Sequence, residues 1–147
     1  MKNMSSGLSV KIKRLNANAK LPIYAHPGDV GLDLYSLESY VIHPGERKIF
    51  LLGFALEFAT GYAAIVKDRS SLSKEGLHAL GGVFDAGYRG EYNVNLANLG
   101  KQPYHIEKGH KIAQLLIIPV AIATLTEVDT LSDSSRGTGQ FGSTGKF

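Results

Sequence analysis

The sequence contains no cysteine, so a disulfide framework and a thiolate metal site are both excluded. Its five histidines include no pair at the His-x-x-x-His spacing, and a zinc site built from side chains is therefore not expected. A long apolar run is also missing. The longest, residues 112–121, is far shorter than a membrane span and includes a glutamine.

Targeting signals and strong charge are absent as well. The N-terminal segment Met-Lys-Asn-Met-Ser-Ser-Gly has no apolar core of the kind found in signal peptides, so we expect a cytoplasmic protein. The net charge of +3 is small for 147 residues. The one basic cluster, residues 11–14, includes an apolar residue between its lysines, which is typical of the solvent-facing side of a strand. We therefore expect neither nucleic acid nor a membrane as a partner.

Helical periodicity is nearly absent, whereas apolar and polar residues alternate repeatedly. The alternation is clearest in residues 10–14 and 92–97, and Leu125 and Val128 lie in a short threonine-rich run of the same kind. Turn signals separate such runs by about 8–12 residues, which is typical of a one-domain all-β sandwich or barrel. The only helix candidate spans residues 70–76, with serine at the possible N-cap and glycine at the possible C′ position.

Residues 81–91 predict two strands that meet across a tight turn at Asp85-Ala86-Gly87, where Gly87 is free to take a positive φ. An aspartate at such a corner often makes only a local bond to the backbone. The alternative interpretation is a general base on a rigid hairpin, where its carboxylate can deprotonate a water molecule.

The stretch Asp68-Arg69-Ser70-Ser71 places a guanidinium and two hydroxyls at the start of the predicted helix. Together with free N–H groups they would form a cradle for phosphate oxygens. A capped helix with Arg69 paired to a nearby carboxylate is the structural alternative.

Two further polar residues lie in apolar surroundings. Asp33 follows a turn in residues 28–35, where a buried turn aspartate is the favoured interpretation. Gln114 lies inside the longest apolar run and must find partners, because an unpaired buried amide costs about 1–3 kcal/mol. A backbone partner and a ligand are equally compatible with the sequence.

The C-terminal segment from Leu131 onward is polar and glycine-rich, and we expect it to be mobile without a ligand. Arg136 precedes glycines in Gly-x-Gly spacing, which lets backbone N–H groups approach anionic oxygens. The segment follows no strand–helix pattern, which excludes a P-loop NTPase. A simple spacer is the alternative, and Phe141 argues against it because linkers rarely carry aromatic residues.

The order of these segments is more specific than any one of them. The chain resembles the trimeric deoxyuridine triphosphate nucleotidohydrolases, the dUTPases, in five ordered motifs: "GLDLYS", "RSSL", "GGVFDAGYRGE", "GHKIAQLLI" and "RGTGQFGSTG". The resemblance runs from about Gly28 to Gly145. It implies a jelly-roll-like distorted β-barrel over residues 1–130 and a flexible tail over 131–147 that closes over a neighbouring active site. It further implies a homotrimer whose active sites are each built from three chains.

The resemblance also implies a reaction and its residues. dUTP would be hydrolysed to dUMP and pyrophosphate, with Mg²⁺ held by the triphosphate and water rather than directly by the protein. Asp85 would activate the attacking water. The substrate-binding residues implied by the resemblance are Arg69, Ser70, Ser71 and Gln114 at the phosphates, Gly82, Tyr88 and Asn93 at the nucleoside, and Arg136 and Phe141 from the tail. Asp33, Gly137, Gly139, Gly142 and Ser143 would support them.

Three residues depart from the family pattern. Gln140 replaces a glycine, at a cost of about 1 kcal/mol if that position needs a positive φ. The turn reads Asp85-Ala86-Gly87, where many dUTPases carry a second aspartate. Asp68 brings a negative charge close to the phosphate motif.

Three other functions are compatible with parts of the sequence. A dCTP deaminase on the same fold needs a carboxylate ten residues beyond Asp85, and that position is Asn95. A catalytically silent dUTP-binding regulator would not need Asp85, which is present. A non-enzymatic jelly roll would explain the strands but not the five motifs.

Overall fold

The computed structural model describes residues 7–146, and most of the N-terminal segment considered above for a signal peptide lies outside them. These residues form eleven strands and one short helix, which confirms the predicted all-β class. In chain order the elements are β1 (Lys11–Arg14), β2 (Leu32–Tyr35), β3 (Tyr40–Ile42), β4 (Arg47–Leu51), β5 (Phe54–Glu57), β6 (Tyr62–Lys67), α1 (Ser70–Lys74), β7 (Leu77–Leu80), β8 (Val83–Asp85), β9 (Asn93–Asn98), β10 (Tyr104–Ile106) and β11 (Lys111–Pro119).

All strand pairs in this part of the chain are antiparallel. The largest sheet has the order β2-β11-β6-β8, and a three-stranded sheet has the order β4-β9-β7. Two short sheets, β1-β5 and β10-β3, complete the arrangement. Neighbours in a sheet are mostly distant in sequence, so the fold joins residues from across the chain.

Alternating burial matches the predicted strand pattern. In β9, Val94 and Leu96 are fully buried, while Asn93 and Asn95, which alternate with them, are partly exposed. Such alternation places one face of a strand in the core. The largest fully buried side chains include Tyr92, Phe50, Phe54, Leu34 and Ile42.

The predicted hairpin at Asp85 is only partly correct. The backbone N–H of Tyr88 donates to the Asp85 carbonyl at 3.1 Å, which closes the expected turn. Gly87, however, is not among the residues with positive φ, and β8 pairs with β6 rather than with β9. The cause lies before the turn: Gly82 has φ +88° and accepts a bond from the Val66 N–H, which aligns β8 with β6.

The short helix also begins differently from the prediction. Arg69, not serine, is the N-cap residue, and it makes no side-chain capping bond. Gly76 follows the helix with φ +93°, as expected for a C′ glycine. The helix therefore has its predicted end but not its predicted cap, and Ser70 is its first residue.

The chain beyond β11 forms no further strand in its described part. Leu125 and Val128, predicted from their pattern to be in a strand, are instead exposed. Every residue from 121 to 146 is exposed, so apolar side chains there lack a surface to pack against. Within residues 7–146, no helix has the length and apolar character to cross a membrane.

Candidate functional site

An open cleft of about 430 Å³ lies where β2, β11 and the start of α1 meet. Three of the predicted phosphate-site residues line it: Arg69, Ser70 and Gln114. The predicted supporting residue Asp33 lines it too, and so does Lys111, which the sequence had not singled out. Ser71 instead lines a smaller adjacent cleft of about 250 Å³, which shares Arg69 and Lys111 with the first.

A β-bulge explains how Lys111 and Gln114 reach the same cleft. In a regular strand, side chains three positions apart point to opposite faces. Here the register against β2 shifts, so that Lys111 pairs with Tyr35 and Gln114 with Asp33. The extra residue reverses the alternation, and Lys111 and Gln114 both lie opposite residues of one face of β2. Composition alone gives no sign of this bulge, which is why Lys111 was missed.

Asp33 is held between two cations. Its carboxylate lies 2.7 Å from the Lys111 Nζ and 3.5 Å from the Arg69 Nε, and the residue is only 8% exposed. A buried carboxylate needs such partners, because an unpaired charge in the interior is strongly unfavourable. The expectation that Asp33 is buried is therefore confirmed, although it lies in β2 rather than in a turn.

The Gln114 amide has found a backbone partner. Its Nε2 donates to the Asp68 carbonyl at 2.8 Å. The Oε1 atom of Gln114 lies close to Gly31. A Cβ atom added at Gly31 would come within 2.1 Å of this oxygen. Any larger residue at position 31 would push the amide aside. The structure thus fixes the orientation of Gln114 while leaving it beside the cleft.

The acidic side chain of Asp68 is directed away from the cleft. Its two oxygens lie 2.7 Å from the His78 Nδ1 and 2.6 Å from the Ala79 backbone nitrogen, both in β7. The residue does not line the cleft formed around Arg69. Its negative charge is therefore not placed where a phosphate would bind, which resolves one of the three departures from the family pattern.

A second group of predicted residues surrounds β8. Tyr88 packs at ring-centroid distances of 5.6 Å from Phe84 and 5.9 Å from Tyr92. Phe84 and Tyr92 themselves stack at 4.2 Å. Burial raises the pKa of the Tyr92 hydroxyl to about 12, so this ring is a neutral support. Tyr88 is 40% exposed and presents an accessible aromatic surface beside the exposed Asp85.

The remaining residues of this group, Gly82 and Asn93, were predicted to act through their main-chain groups. At Gly82 a Cβ atom would come within 2.8 Å of the Val66 Cβ, so the position requires glycine by both space and φ. Asn93 begins β9 and is partly exposed.

The two groups do not meet within one chain. Asp85 lies opposite Ala63 on β6, whereas Gln114 lies opposite Lys67 on the same strand. Ala63 and Lys67 are four residues apart along β6, which corresponds to about 13 Å. In addition, β8 and β11 flank β6 on opposite sides. A carboxylate acting on a phosphate in the cleft needs hydrogen-bond reach, which this separation does not allow.

The predicted tail residues form a third group. Arg136 donates from Nε to the Gly139 carbonyl at 3.1 Å, and the two residues are only three positions apart in the sequence. Phe141 is 94% exposed. Gly137 and Gly142 have positive φ, while Gln140 does not, so the strain considered for Gln140 is absent. Ser143 folds back near Gly139. A Cβ atom added at Gly139 would lie 3.0 Å from the Cβ of Ser143.

Comparison with known proteins identifies the family and the fold. The family model for dUTPase matches residues 17–145. The deoxyuridine 5'-triphosphate nucleotidohydrolase of Clostridium tetani is 45% identical over 141 residues, which cover 94% of this chain and 97% of the relative. The corresponding protein of Clostridioides difficile is 46% identical over 140 residues, covering 93% of this chain and 98% of the relative.

Solved structures agree. The Staphylococcus bacteriophage 80alpha dUTPase with dUPNHPP superposes with a TM-score of 0.88 at 30% identity, covering 93% of this chain and 98% of the other. A mutant dUTPase from phage phi11 of S. aureus, described with a structural Mg(II) ion, gives a TM-score of 0.78 at 26% identity over 83% of this chain and 97% of the other. The fold is that of a class of nucleotide hydrolases. The chain belongs to the dUTPase family.

Proposed function

We propose that this protein hydrolyses dUTP to dUMP and pyrophosphate. The observation that carries the proposal is the cleft in which Arg69, Ser70 and Gln114 converge at the start of α1. It offers a guanidinium, a hydroxyl and an oriented amide to an anionic ligand. Membership of the dUTPase family and the nucleotide analogue in the phage relative point to a deoxyuridine triphosphate as that ligand.

The phosphate chain binds at this cleft. Arg69 contacts phosphate oxygens through its planar guanidinium, which suits bidentate recognition. The hydroxyls of Ser70 and Ser71 donate further bonds, and Gln114 lies near the phosphate next to the sugar. Asp33, which is itself paired with Lys111, holds Arg69 in place. These fixed donors stabilise the charge that develops as the phosphoanhydride bond breaks.

Asp85 acts as the general base. Its carboxylate takes a proton from a water molecule, the water oxygen forms a bond to phosphorus, and the bond between the α- and β-phosphates breaks to release pyrophosphate. General-base assistance of this kind typically contributes about 10²–10⁴ in rate. The exposure of Asp85 at the end of β8 leaves its carboxylate accessible to such a water.

The nucleoside binds beside the same turn. Tyr88 packs under the deoxyribose and leaves no room for a 2′-hydroxyl. Main-chain groups of Gly82 and Asn93 read the uracil edge, where uracil presents an acceptor and cytosine a donor. From the tail, Phe141 stacks on the base and Arg136 reaches the terminal phosphate, while Gly137, Gly139, Gly142 and Ser143 shape the tail backbone.

Mg²⁺ accompanies the substrate. Among residues 7–146 no cluster of three His, Asp or Glu side chains is suited to hold a metal. Two carboxylates line the cleft: Asp33 is already paired with two cations, and Asp29 accepts a bond from the His26 N–H at 2.9 Å. This chemistry fits an ion held by phosphate oxygens and water, with the protein contributing at most an outer contact. Bound in this way, the ion would neutralise phosphate charge.

The active unit is a homotrimer with shared sites. Two observations support this part of the proposal. The Asp85 group and the Arg69 group lie too far apart to act together in one chain. The exposed segment 121–131 also carries Ile122, Leu125 and Leu131 at 80–94% exposure, which suits packing against another subunit.

A substrate panel tests the proposed function. Purified protein with Mg²⁺ is assayed for release of pyrophosphate and for deamination with dUTP, dCTP, dTTP and UTP. We expect turnover of dUTP alone. Equal activity on dTTP or UTP would overturn the specificity, and deamination of dCTP would point to the related enzyme class. That result is not expected because Asn95, whose Oδ1 is buried without a hydrogen-bond partner, cannot serve as a base.

A further inference from the structure

Asp68 connects the phosphate cleft to a different sheet of the molecule. It lies between β6 and α1, directly before Arg69. Its carboxylate accepts a bond from the Ala79 N–H at 2.6 Å and contacts the His78 Nδ1 at 2.7 Å, so it is tied to β7 in the β4-β9-β7 sheet. Its main-chain carbonyl accepts the bond from Gln114, which belongs to the largest sheet.

The main-chain carbonyl and the side-chain carboxylate of Asp68 influence two different residues of the cleft, Gln114 and Arg69. The carbonyl orients the Gln114 amide, and Gly31 leaves the space that the amide occupies. The carboxylate fixes the backbone immediately before Arg69, whose side chain must reach both Asp33 and a bound phosphate. No side-chain cap holds this end of α1, and the Asp68 contacts to β7 anchor it together with the contacts of Arg69 to Asp33 and to the Lys111 carbonyl.

The pairing with β7 also controls charge. Asp68 is adjacent in sequence to the guanidinium that would bind phosphate. Released from Ala79 and His78, its carboxylate could turn toward Arg69 and compete with the ligand, since opposite charges attract strongly where solvent is partly excluded. Holding the carboxylate on β7 therefore keeps Arg69 free for the nucleotide.

We propose that Asp68, with His78 as its partner, is a positioning residue that orients Gln114 and Arg69 toward the phosphate chain. This inference rests on the proposed dUTP hydrolysis and deepens it. It assigns to Asp68 a role in phosphate affinity, without direct contact with the substrate. The residue that departs from the family pattern thus supports the site instead of disturbing it.

The role predicts a loss that depends on the phosphates of the ligand. In full-length Asp68→Ala, the affinity for the non-hydrolysable analogue dUpNHpp should fall about tenfold, since oriented bonds to charged groups are at stake. Affinity for deoxyuridine, which has no phosphate, should change less than about twofold. A residue that only stabilises the fold would not separate these two ligands below the unfolding temperature.

Two further variants sharpen the test. Asp68→Asn can still accept from Ala79 and donate to His78, so it should retain most of the affinity and remains informative if the alanine variant fails to fold. Glu107→Gln is the matched control, because Glu107 also contacts a histidine, His110 at 3.6 Å, but is highly exposed. It should leave both affinities unchanged.

A double mutant tests the route through Gln114. Because Asp68 orients Gln114, combining Asp68→Ala with Gln114→Ala should cost clearly less than the sum of the single losses. Strict additivity, or equal loss for dUpNHpp and deoxyuridine, would overturn the positioning role. Failure of the wild-type protein to bind dUpNHpp would instead overturn the proposed function, so the two failures are distinguishable.

Discussion

The cleft and the tail carry similar chemical groups but are held very differently. In the cleft, Arg69 lies among Asp33, Lys111 and Gln114, whose side chains are tied to one another or to the backbone. In the tail, Arg136 bonds only to a carbonyl three residues away. One guanidinium is preorganised by the fold of a single chain, whereas the other has no tertiary partner in the described residues. We infer that the cleft provides binding and the tail provides closure.

The first prediction concerns the residue that belongs to neither region. Asp85→Asn should lower kcat by about 10²–10⁴ because it removes the general base while preserving shape. Binding of dUpNHpp should stay within severalfold of wild type. Steady-state kinetics and calorimetry measure the two quantities. A variant that retains normal turnover would show that another group activates the water.

The second prediction separates tail from cleft. Removing residues from Arg136 onward should reduce kcat by about 10²–10³, the scale of losing one charged donor in the transition state. The unfolding temperature should not change, because residues 136–146 are all exposed and the Arg136 side chain bonds within the segment itself. Truncation after Ser143 is the control and should keep most of the activity. A large fall in stability on removing the segment would contradict the comparison.

The third prediction applies the same comparison to the cleft. Lys111→Met leaves the buried Asp33 carboxylate with Arg69 alone, and should lower the free energy of unfolding by about 1–2 kcal/mol. Affinity for dUpNHpp should fall as well, since Arg69 is drawn toward Asp33. Unlike removal of the tail, this change affects stability and binding together. Lys111→Arg should restore both, and a change in only one of them would weaken the account of the cleft.

The smallest effect is expected in a turn remote from both regions. Glu46 accepts bonds from the Tyr40 hydroxyl and, at 2.8 Å, from the His43 N–H. These bonds hold the pKa of the Glu46 carboxyl below its usual 4.5. The stability they contribute is present above the unfolded pKa and is lost as the pH falls through the lower folded value. Glu46→Gln should therefore flatten the decline of melting temperature below about pH 4.5 without altering turnover at neutral pH.

The sequence predicted the class of fold and most of the cleft, because strand alternation and short polar motifs are local properties. It could not predict the pairing of β8 with β6, which depends on long-range contacts around Gly82 and Val66. It missed Lys111 because the bulge that turns this side chain toward Asp33 is a feature of strand register. Leu125 was assigned to a strand from pattern alone, although it has no partner strand within residues 7–146.

The central claim is that the Asp85 group of one subunit acts on a phosphate held by the Arg69 group of another. The most direct test co-expresses Asp85→Asn and Arg69→Ala chains with separable tags, each variant alone being nearly inactive. With random mixing, about one quarter of the shared sites should be active. In such a site the Arg69→Ala chain supplies Asp85 and the Asp85→Asn chain supplies Arg69. Activity no greater than the sum of the two separate variants would show that the groups act within one chain.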